Sequence, residues 1–97
     1  MFFRMFWVYI LYSNTLDRYY VGETQDLADW LILHNLHVFS KAHTANATDW
    51  RYRWCLPCAT RHQARSIESV IKKMKSRKFI EKLMVSDSTW LYDRVAQ

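Results

Sequence analysis

Residues 6–24 of the chain read FWVYILYSNTLDRYYVGET, two aromatic and β-branched runs separated by a polar segment. The runs at residues 6–12 and 19–23 have the composition of β-strands. The residues between them, 13–17, carry the short polar side chains that favour a turn. This part of the sequence therefore predicts a β-hairpin.

Helical spacing follows the hairpin. Leu27, Trp30, Leu31 and His34 recur on one stripe, which predicts a helix over residues 25–36 with Thr24 as its cap. Residues 61–74 and 79–84 show the same kind of spacing and predict two further helices.

A third strand is predicted at residues 50–56. Trp50, Tyr52, Trp54 and Leu56 alternate there with less apolar residues, so that one face of the strand is aromatic. The predicted fold is therefore an α/β (α+β) domain, a small three-stranded antiparallel sheet flanked by helices in the order β-β-α-β-α-α. Residues 86–97 are predicted to form either a short helix or a strand.

Composition limits the class of protein. The chain has 97 residues, 51% of them hydrophobic, which predicts a single domain over residues 1–97. Residues 1–12 are apolar apart from Arg4, but the run is shorter than the roughly 20 residues of a membrane span and lacks a signal-type cleavage site. With two cysteines and no such signal, we expect a cytoplasmic protein that does not associate with membranes.

The charge is uneven. The formal charge is +5, and residues 60–82 contain eight cations against the two acids Glu68 and Glu81. A basic surface of this kind favours polyanions such as nucleic acid. On a helical wheel Glu68 lies about 60° from the buried stripe at Ile71, with Arg61, Lys72 and Lys75 within about 40° of it.

Two short motifs, Val8-Tyr9-Ile10 and Tyr20-Val21-Gly22, lie on the two predicted strands of the hairpin. They are similar to the first and second signatures of the GIY-YIG nucleases, in particular the small single-domain members similar to the N-terminal domain of excision-repair nucleases. Residues 26–35 resemble the family's helix, and residues 40–44 resemble its loop. Glu68 resembles the family's metal-binding glutamate, and the basic residues between Lys72 and Lys78 resemble the basic segment that follows it in the family.

The resemblance implies a metal-dependent endonuclease that hydrolyses DNA phosphodiesters, with branched or damaged DNA among its candidate substrates. It implies that Glu68 binds one divalent ion, Mg²⁺ or Mn²⁺, as suits an oxygen ligand. Tyr9, Tyr20 and His34 would then orient and activate water. The predicted phosphate-contacting cations are Lys41, Arg61, Lys72, Lys75, Arg77 and Lys78.

Each of these residues also has a structural explanation. Glu68 precedes Lys72 by four residues, the spacing of an ordinary surface ion pair. Tyr9 and Tyr20 are typical core aromatics, and His34 on an apolar stripe is typical of a packed histidine.

Trp30 departs from the family pattern. It lies ten residues after Tyr20 and four before His34, where the family has an arginine that binds the scissile phosphate. Tryptophan offers one N–H and no charge, whereas arginine donates a charged, bidentate pair of hydrogen bonds. The chain is therefore expected to have reduced activity, unless Arg18, Lys41, Arg51, Arg53 or Lys75 replaces the arginine. Trp30 can alternatively stack on an unpaired base or simply fill the core.

Two further alternatives stay open. One is a non-catalytic nucleic-acid-binding module on the same fold. The other is a thiol redox protein, because Trp54-Cys55-Leu56-Pro57-Cys58 resembles the motif of thioredoxin-like proteins. A zinc site built from Cys55, Cys58, His62 and His43 is a more remote version of the same cysteine hypothesis.

Overall fold

The computed structural model describes residues 5–36 and 46–96, which form one antiparallel sheet and four helices. The elements are β1 (Phe6–Ser13), β2 (Arg18–Thr24), α1 (Leu27–Asn35), β3 (Arg51–Cys58), α2 (Arg61–Met74), α3 (Arg77–Val85) and α4 (Trp90–Val95). The strand order is β2-β1-β3, with both neighbours antiparallel to the central β1. The predicted fold class and element order are confirmed, and the tail adds the short helix α4.

The hairpin turn is held by a carboxylate from outside the hairpin. Asp49 accepts hydrogen bonds from the Ser13 hydroxyl at 2.6 Å and from the Thr15 backbone N–H at 2.9 Å. Ser13 is fully buried, and its oxygen also accepts the N–H of Leu16. These bonds lower the pKa of Asp49 below its ordinary value, the Ser13 bond being the largest cause. The turn is therefore stabilised by the ionised form of Asp49.

The β1–β2 pairing brings a tyrosine ring over a glycine. Tyr9 lies directly opposite Gly22, and an ideal Cβ added to Gly22 would lie 2.5 Å from Cζ of Tyr9. Real Cβ atoms do not lie so close to another carbon atom, so the Tyr9 ring can cross β2 only at a residue that has no side chain. Glycine is required here because of this close approach, since its φ is not positive.

Strand β3 differs from its predicted face pattern because it contains a β-bulge. Ile10 pairs with Trp54 but Leu11 pairs with Tyr52, so Arg53 is an extra residue in the ladder. Trp50 and Tyr52 consequently pack on the α1 side of the sheet, whereas Trp54 and Leu56 pack on the α2 side. The prediction of a single aromatic face was wrong, because one inserted residue reverses the alternation.

Helix α1 begins later than predicted, at Leu27, and its cap is Asp26. The Asp26 carboxylate accepts the N–H of Asp29 at 3.1 Å, and its carbonyl oxygen accepts the N–H of Trp30. Thr24 instead accepts the N–H of Asp26, one step before the helix. The predicted Thr24 cap is therefore corrected to Asp26.

The sheet separates two apolar clusters. On one side Ala64, Ile67 and Ile71 of α2 are buried against alternate residues of the three strands. On the other side α1 covers a cluster that includes Tyr9, Leu11 and Trp50. The side chain of Asn35, at the end of α1, bonds both the N–H and the carbonyl of Trp50, and this contact joins the helix to the start of β3.

The two cysteines lie on opposite faces of the sheet. Cys55 packs with the Tyr9 cluster and Cys58 packs with the α2 cluster, because residues three apart on a strand point in opposite directions. Both lie within β3 and not at a helix N-terminus, and burial raises the pKa of Cys58 to about 11. Both the redox and the zinc hypotheses require the two sulfurs to lie at one site. They are therefore wrong, because the sulfurs lie on opposite faces of the sheet.

Helix α4 docks on β3 and α2. Leu91 is fully buried in the core, and the Tyr92 hydroxyl donates to the Pro57 carbonyl at 2.6 Å. None of the helices formed by residues 5–36 and 46–96 has the length and apolar character of a bilayer span. The predicted cytoplasmic location stays a prediction.

Replacing Gly22 with alanine should destabilise the protein by about 1–3 kcal/mol, because the added methyl overlaps the Tyr9 ring. Urea denaturation of Gly22→Ala, Tyr9→Leu and the double variant measures this. The added cost of Gly22→Ala should largely disappear in the Tyr9→Leu background. An equal cost in both backgrounds would contradict the proposed overlap.

Changing Asp49 to asparagine should lower the melting temperature at neutral pH and have little effect in acid. The folded-state pKa of Asp49 is lowered, so its contribution is present above the ordinary aspartate pKa of about 4 and is lost as the pH falls through the folded value. Thermal unfolding of both proteins across this pH range tests the prediction. Asp93→Asn, which removes an exposed carboxylate from α4, serves as the control.

Candidate active site

Tyr9 is the buried centre of the candidate site. Its side chain is 1% exposed, and its ring lies 6.5 Å from the ring of Tyr20 and 5.4 Å, edge-on, from that of Tyr52. The Tyr52 hydroxyl donates to the Leu27 carbonyl at the start of α1. Because the Tyr9 ring crosses Gly22, its hydroxyl points towards the outer edge of β2.

Tyr20 lies nearer the solvent on the same face of β2. It is half-buried, and its ring meets the ring of Trp50 edge-on at 6.5 Å. The ammonium of Lys72 lies 5.8 Å from the Tyr20 ring centre, within the range of a cation–π contact. A hollow of about 320 Å³ opens beside the ring, lined by Leu16, Arg18, Tyr19, Tyr20 and Trp50.

Glu68 of α2 completes the group. Its carboxylate is 2.9 Å from the Lys72 ammonium, and only 20% of its side chain is exposed. Its negative charge is near enough to Tyr9 to be one of the causes that raise the pKa of that phenol. The structure therefore brings Glu68 together with Tyr9 and Tyr20, as the family resemblance implied, and adds Lys72 between the carboxylate and Tyr20.

The two phenols have different environments. Burial, followed by the nearby Tyr20, raises the pKa of Tyr9 well above its ordinary value of about 10. Tyr9 is consequently a neutral hydrogen-bonding group at physiological pH and an unsuitable proton acceptor. Tyr20 lies at the open side of the site with a cation over its ring, so it is the phenol that a substrate can approach.

Glu68 is the residue that could hold a divalent metal ion. Magnesium is often held by one or two carboxylates while it keeps several waters, and a half-buried carboxylate at an open site fits that habit. Within the described part of the chain, no group of three or more histidine, cysteine, aspartate or glutamate side chains forms a fuller metal cage. An ion bound here would compete with Lys72 for the Glu68 carboxylate.

Trp30 is part of the apolar cluster around Tyr9. It is half-buried with Leu27 and Leu31 against the aromatic cluster, and it shares a side-chain hydrogen bond with Tyr9. This bond lowers the pKa of Tyr9, although by less than burial raises it. The position that would carry an arginine is therefore filled by an indole that packs against Tyr9.

Two of the five cations considered as replacements for that arginine are engaged elsewhere. Arg51 and Arg53 lie over the Tyr12 ring, near the other end of β1. Lys75 ends α2 in a left-handed conformation, with φ 47°, beside Arg18 in a cavity of about 280 Å³. Lys72 was not among the replacements considered from the sequence, yet it contacts both the phenol and the carboxylate.

The predicted phosphate-contacting residues are not equally available. Arg77 donates to the Asp17 carboxylate at 2.6 Å and to its carbonyl at 2.9 Å. Arg61 lies 3.6 Å from the carboxylate of Glu23. Lys75 and Lys78 are exposed, and no ion pair joins either to another described residue. Contact of these residues with phosphate stays a prediction.

Two predicted residues lie wholly or partly outside the described residues. His34 belongs to α1, but its side chain is not among those described. Lys41 lies in the segment between residues 36 and 46. Their predicted roles therefore stay predictions. The two-point contact of Asn35 with Trp50 is a structural role that the sequence did not reveal, because it depends on a residue fifteen positions away.

The comparison with protein families agrees with this geometry. The chain matches the family model described as the GIY-YIG catalytic domain over residues 5–82. No curated protein and no solved structure gives a significant match to the chain. The family match includes both strand signatures, Gly22 and Glu68, and it covers most of the 97 residues. This chain therefore belongs to the GIY-YIG family of nuclease-type proteins.

Proposed function

We propose that this protein is a metal-dependent endonuclease that acts on DNA phosphodiesters with reduced activity. The observation that carries the proposal is the proximity of Glu68, Lys72 and the two phenols Tyr9 and Tyr20 at one edge of the sheet. A carboxylate, a cation and hydrogen-bonding phenols are the groups that phosphodiester hydrolysis needs around a phosphate.

The protein's own residues divide the work by position. Lys72 lies at the open side of the site, where its charge can offset the charge that develops on a phosphoryl group. The Tyr20 hydroxyl is the group that can orient an attacking water there. Tyr9, held neutral by burial, acts as a fixed hydrogen-bonding group and aligns its neighbours.

Glu68 would hold one Mg²⁺ or Mn²⁺ ion, whose chemistry is to polarise a phosphoryl oxygen and to lower the pKa of a bound water. The half-buried position of the Glu68 carboxylate and its proximity to Tyr9 support this role. The surrounding cations Arg18, Lys72 and Lys75 favour the approach of a polyanion. Branched or damaged DNA is among the substrates that this proposal includes.

The reduced activity is proposed from the packing of Trp30. An indole in the apolar cluster cannot donate the charged, bidentate pair of hydrogen bonds that an arginine gives to phosphate. Loss of such a stabilising donor commonly costs about 100- to 1,000-fold in rate. Lys72, a point charge at the site, is a partial substitute because it lacks the planar fork.

One observation favours a second candidate, a non-catalytic nucleic-acid-binding module. The hydrogen bond between Trp30 and Tyr9 ties a phenol of the site to a packed core residue. A site whose buried phenol is held by a core residue in this way still presents the Lys72 cation, which can bind a nucleic acid without cleaving it. The experiments below separate the two candidates.

Cleavage of supercoiled plasmid in Mg²⁺ or Mn²⁺ should be slow for the natural sequence and should fall by about 100-fold or more in Glu68→Ala. Trp30→Arg should raise the rate, by about tenfold or more, because it restores a guanidinium near the phosphate site. Asp93→Ala, which removes an exposed carboxylate from α4, is the control and should leave the rate unchanged. Nicked product is measured on agarose gels over time.

The pattern of activity decides between the candidates. DNA binding without any cleavage, together with cleavage that appears only in Trp30→Arg, would identify a binding module. Detectable cleavage that is equal in Glu68→Ala and the natural sequence would contradict a catalytic role for this site.

Lys72→Met should reduce cleavage by about tenfold or more, because it removes the cation between Glu68 and Tyr20. Lys72→Arg should retain most of the activity. Lys73→Met is the matched control, since Lys73 lies on a different face of α2. The rates are best compared in both the natural and the Trp30→Arg backgrounds. Equal losses in Lys72→Met and Lys73→Met would indicate a general charge effect.

A further inference from the structure

A second surface lies on the outer side of α2, between α2 and the ends of α3 and α4. It is a groove of about 670 Å³, larger than the hollow of about 320 Å³ beside Tyr20. Its lining combines apolar residues with cations and serines: His62, Arg65, Ser66, Ser69, Val70, Lys73, Met74, Phe79, Trp90, Arg94 and Val95. The α2 residues of the groove are centred about 130° around the helix from Glu68 and Lys72, so the groove opens on a different side of α2 from the candidate active site. Arg65, at the rim, is the lining residue that lies nearest to Lys72 on the helix.

The floor of the groove leaves large apolar side chains in water. Trp90 is 42% exposed and Met74 is 50% exposed, and both lie in the same groove. Trp90 also meets the Phe79 ring edge-on at 6.2 Å, which fixes its orientation. Tryptophan, methionine and arginine are enriched in the contact regions of protein interfaces. Trp90 and Met74 therefore present apolar surface to solvent, whereas Phe79 packs against the core.

The rim of the groove is cationic. Arg65 and Lys73 of α2 face Arg94 of α4, and none of the lining residues has a carboxylate. Within the described part of the chain neither Lys73 nor Arg94 forms an ion pair, and Arg65 reaches only the carboxylate of Glu23 at 3.7 Å. A partner that brings negative charge would therefore find unneutralised cations along the apolar floor.

The C-terminal helix α4 forms one wall of the groove. The family match ends at residue 82, whereas Trp90, Arg94 and Val95 lie in α4 beyond it. Helix α4 is held to the sheet by Leu91 and by the Tyr92 bond to Pro57, which leaves its other residues for the groove. The groove is thus lined both by residues inside the family match and by residues of α4 beyond it.

Together these observations favour a peptide over a nucleic-acid strand. The floor is partly aliphatic, with Val70, Met74 and Val95, whereas single strands stack their bases on successive exposed aromatic rings. A groove between helices with an apolar floor and charged rims matches the helix-in-groove mode of peptide recognition. We propose that this groove docks an acidic amphipathic segment of a partner protein. Its apolar side chains would contact Met74 and Trp90, and its carboxylates would lie beside Lys73 and Arg94.

A synthetic probe tests the proposal on the full chain. The probe is a fluorescein-labelled amphipathic peptide of about 15 residues, with leucine and phenylalanine on one helical face and glutamate elsewhere. Fluorescence anisotropy should show saturable binding. Lys73→Glu and Arg94→Glu should each weaken it about tenfold, and Trp90→Ala should weaken it as well. Arg53→Glu, the same charge change on the remote strand β3, should change the affinity by less than about twofold.

Three outcomes would overturn the proposal. The first is that the labelled peptide does not bind when the protein concentration is raised to about 1 mM, so that any dissociation constant is weaker than millimolar. The second is equal weakening by Arg53→Glu and the groove variants, which would indicate general charge attraction. The third is that the peptide fails to bind while a single-stranded oligothymidylate binds tightly, and that Lys73→Glu and Arg94→Glu abolish this oligonucleotide binding. That result would assign the groove to nucleic acid. Circular dichroism of each variant checks that the fold is retained. Lys73→Glu and Arg94→Glu leave the packing of Trp90 unchanged, so they test the proposal even if Trp90→Ala does not fold.

Discussion

The close approach of the Tyr9 ring to Gly22 is the contact on which the candidate site depends. A tyrosine on the central strand can direct its hydroxyl to the sheet edge only by crossing the neighbouring strand, and a side chain there would block it. The pairing register has to be correct for the same reason. A slip of one residue would place Val21 or Glu23 opposite Tyr9 and would turn the two tyrosines to different faces.

The same contact explains why the two phenols are not equivalent. Tyr9 ends in an apolar, aromatic cluster, where burial keeps it neutral, and Trp30 packs against it. Tyr20 stays at the boundary with solvent, where Lys72 and Glu68 add one charge of each sign. The site is therefore polarised across a few ångströms, from a dry, rigid interior to a charged edge. A phosphate would meet the charged edge.

Helix α2 links the core, the candidate site and the groove because its three faces carry different chemistry. Ala64, Ile67 and Ile71 bury one face against the sheet. A second face presents Glu68 and Lys72 to the tyrosines, and the third lines the groove with α4. Neighbouring residues such as Lys72 and Lys73 thus belong to separate surfaces. A change on one face of this helix can be tested without removing the others.

The sequence by itself determined the features that depend on local composition and periodicity. These were the hairpin, the order of the elements, the family signatures around Tyr9 and Tyr20, and the position of Glu68 beside the buried face of α2. It did not reveal the bulge at Arg53, the bonds that tie Arg77 to Asp17, or the separation of Cys55 from Cys58. Only the tertiary structure decided that Lys72 lies over Tyr20 and that Trp30 packs against Tyr9. Those facts depend on contacts between residues far apart in the chain, and such contacts leave no local pattern in the sequence.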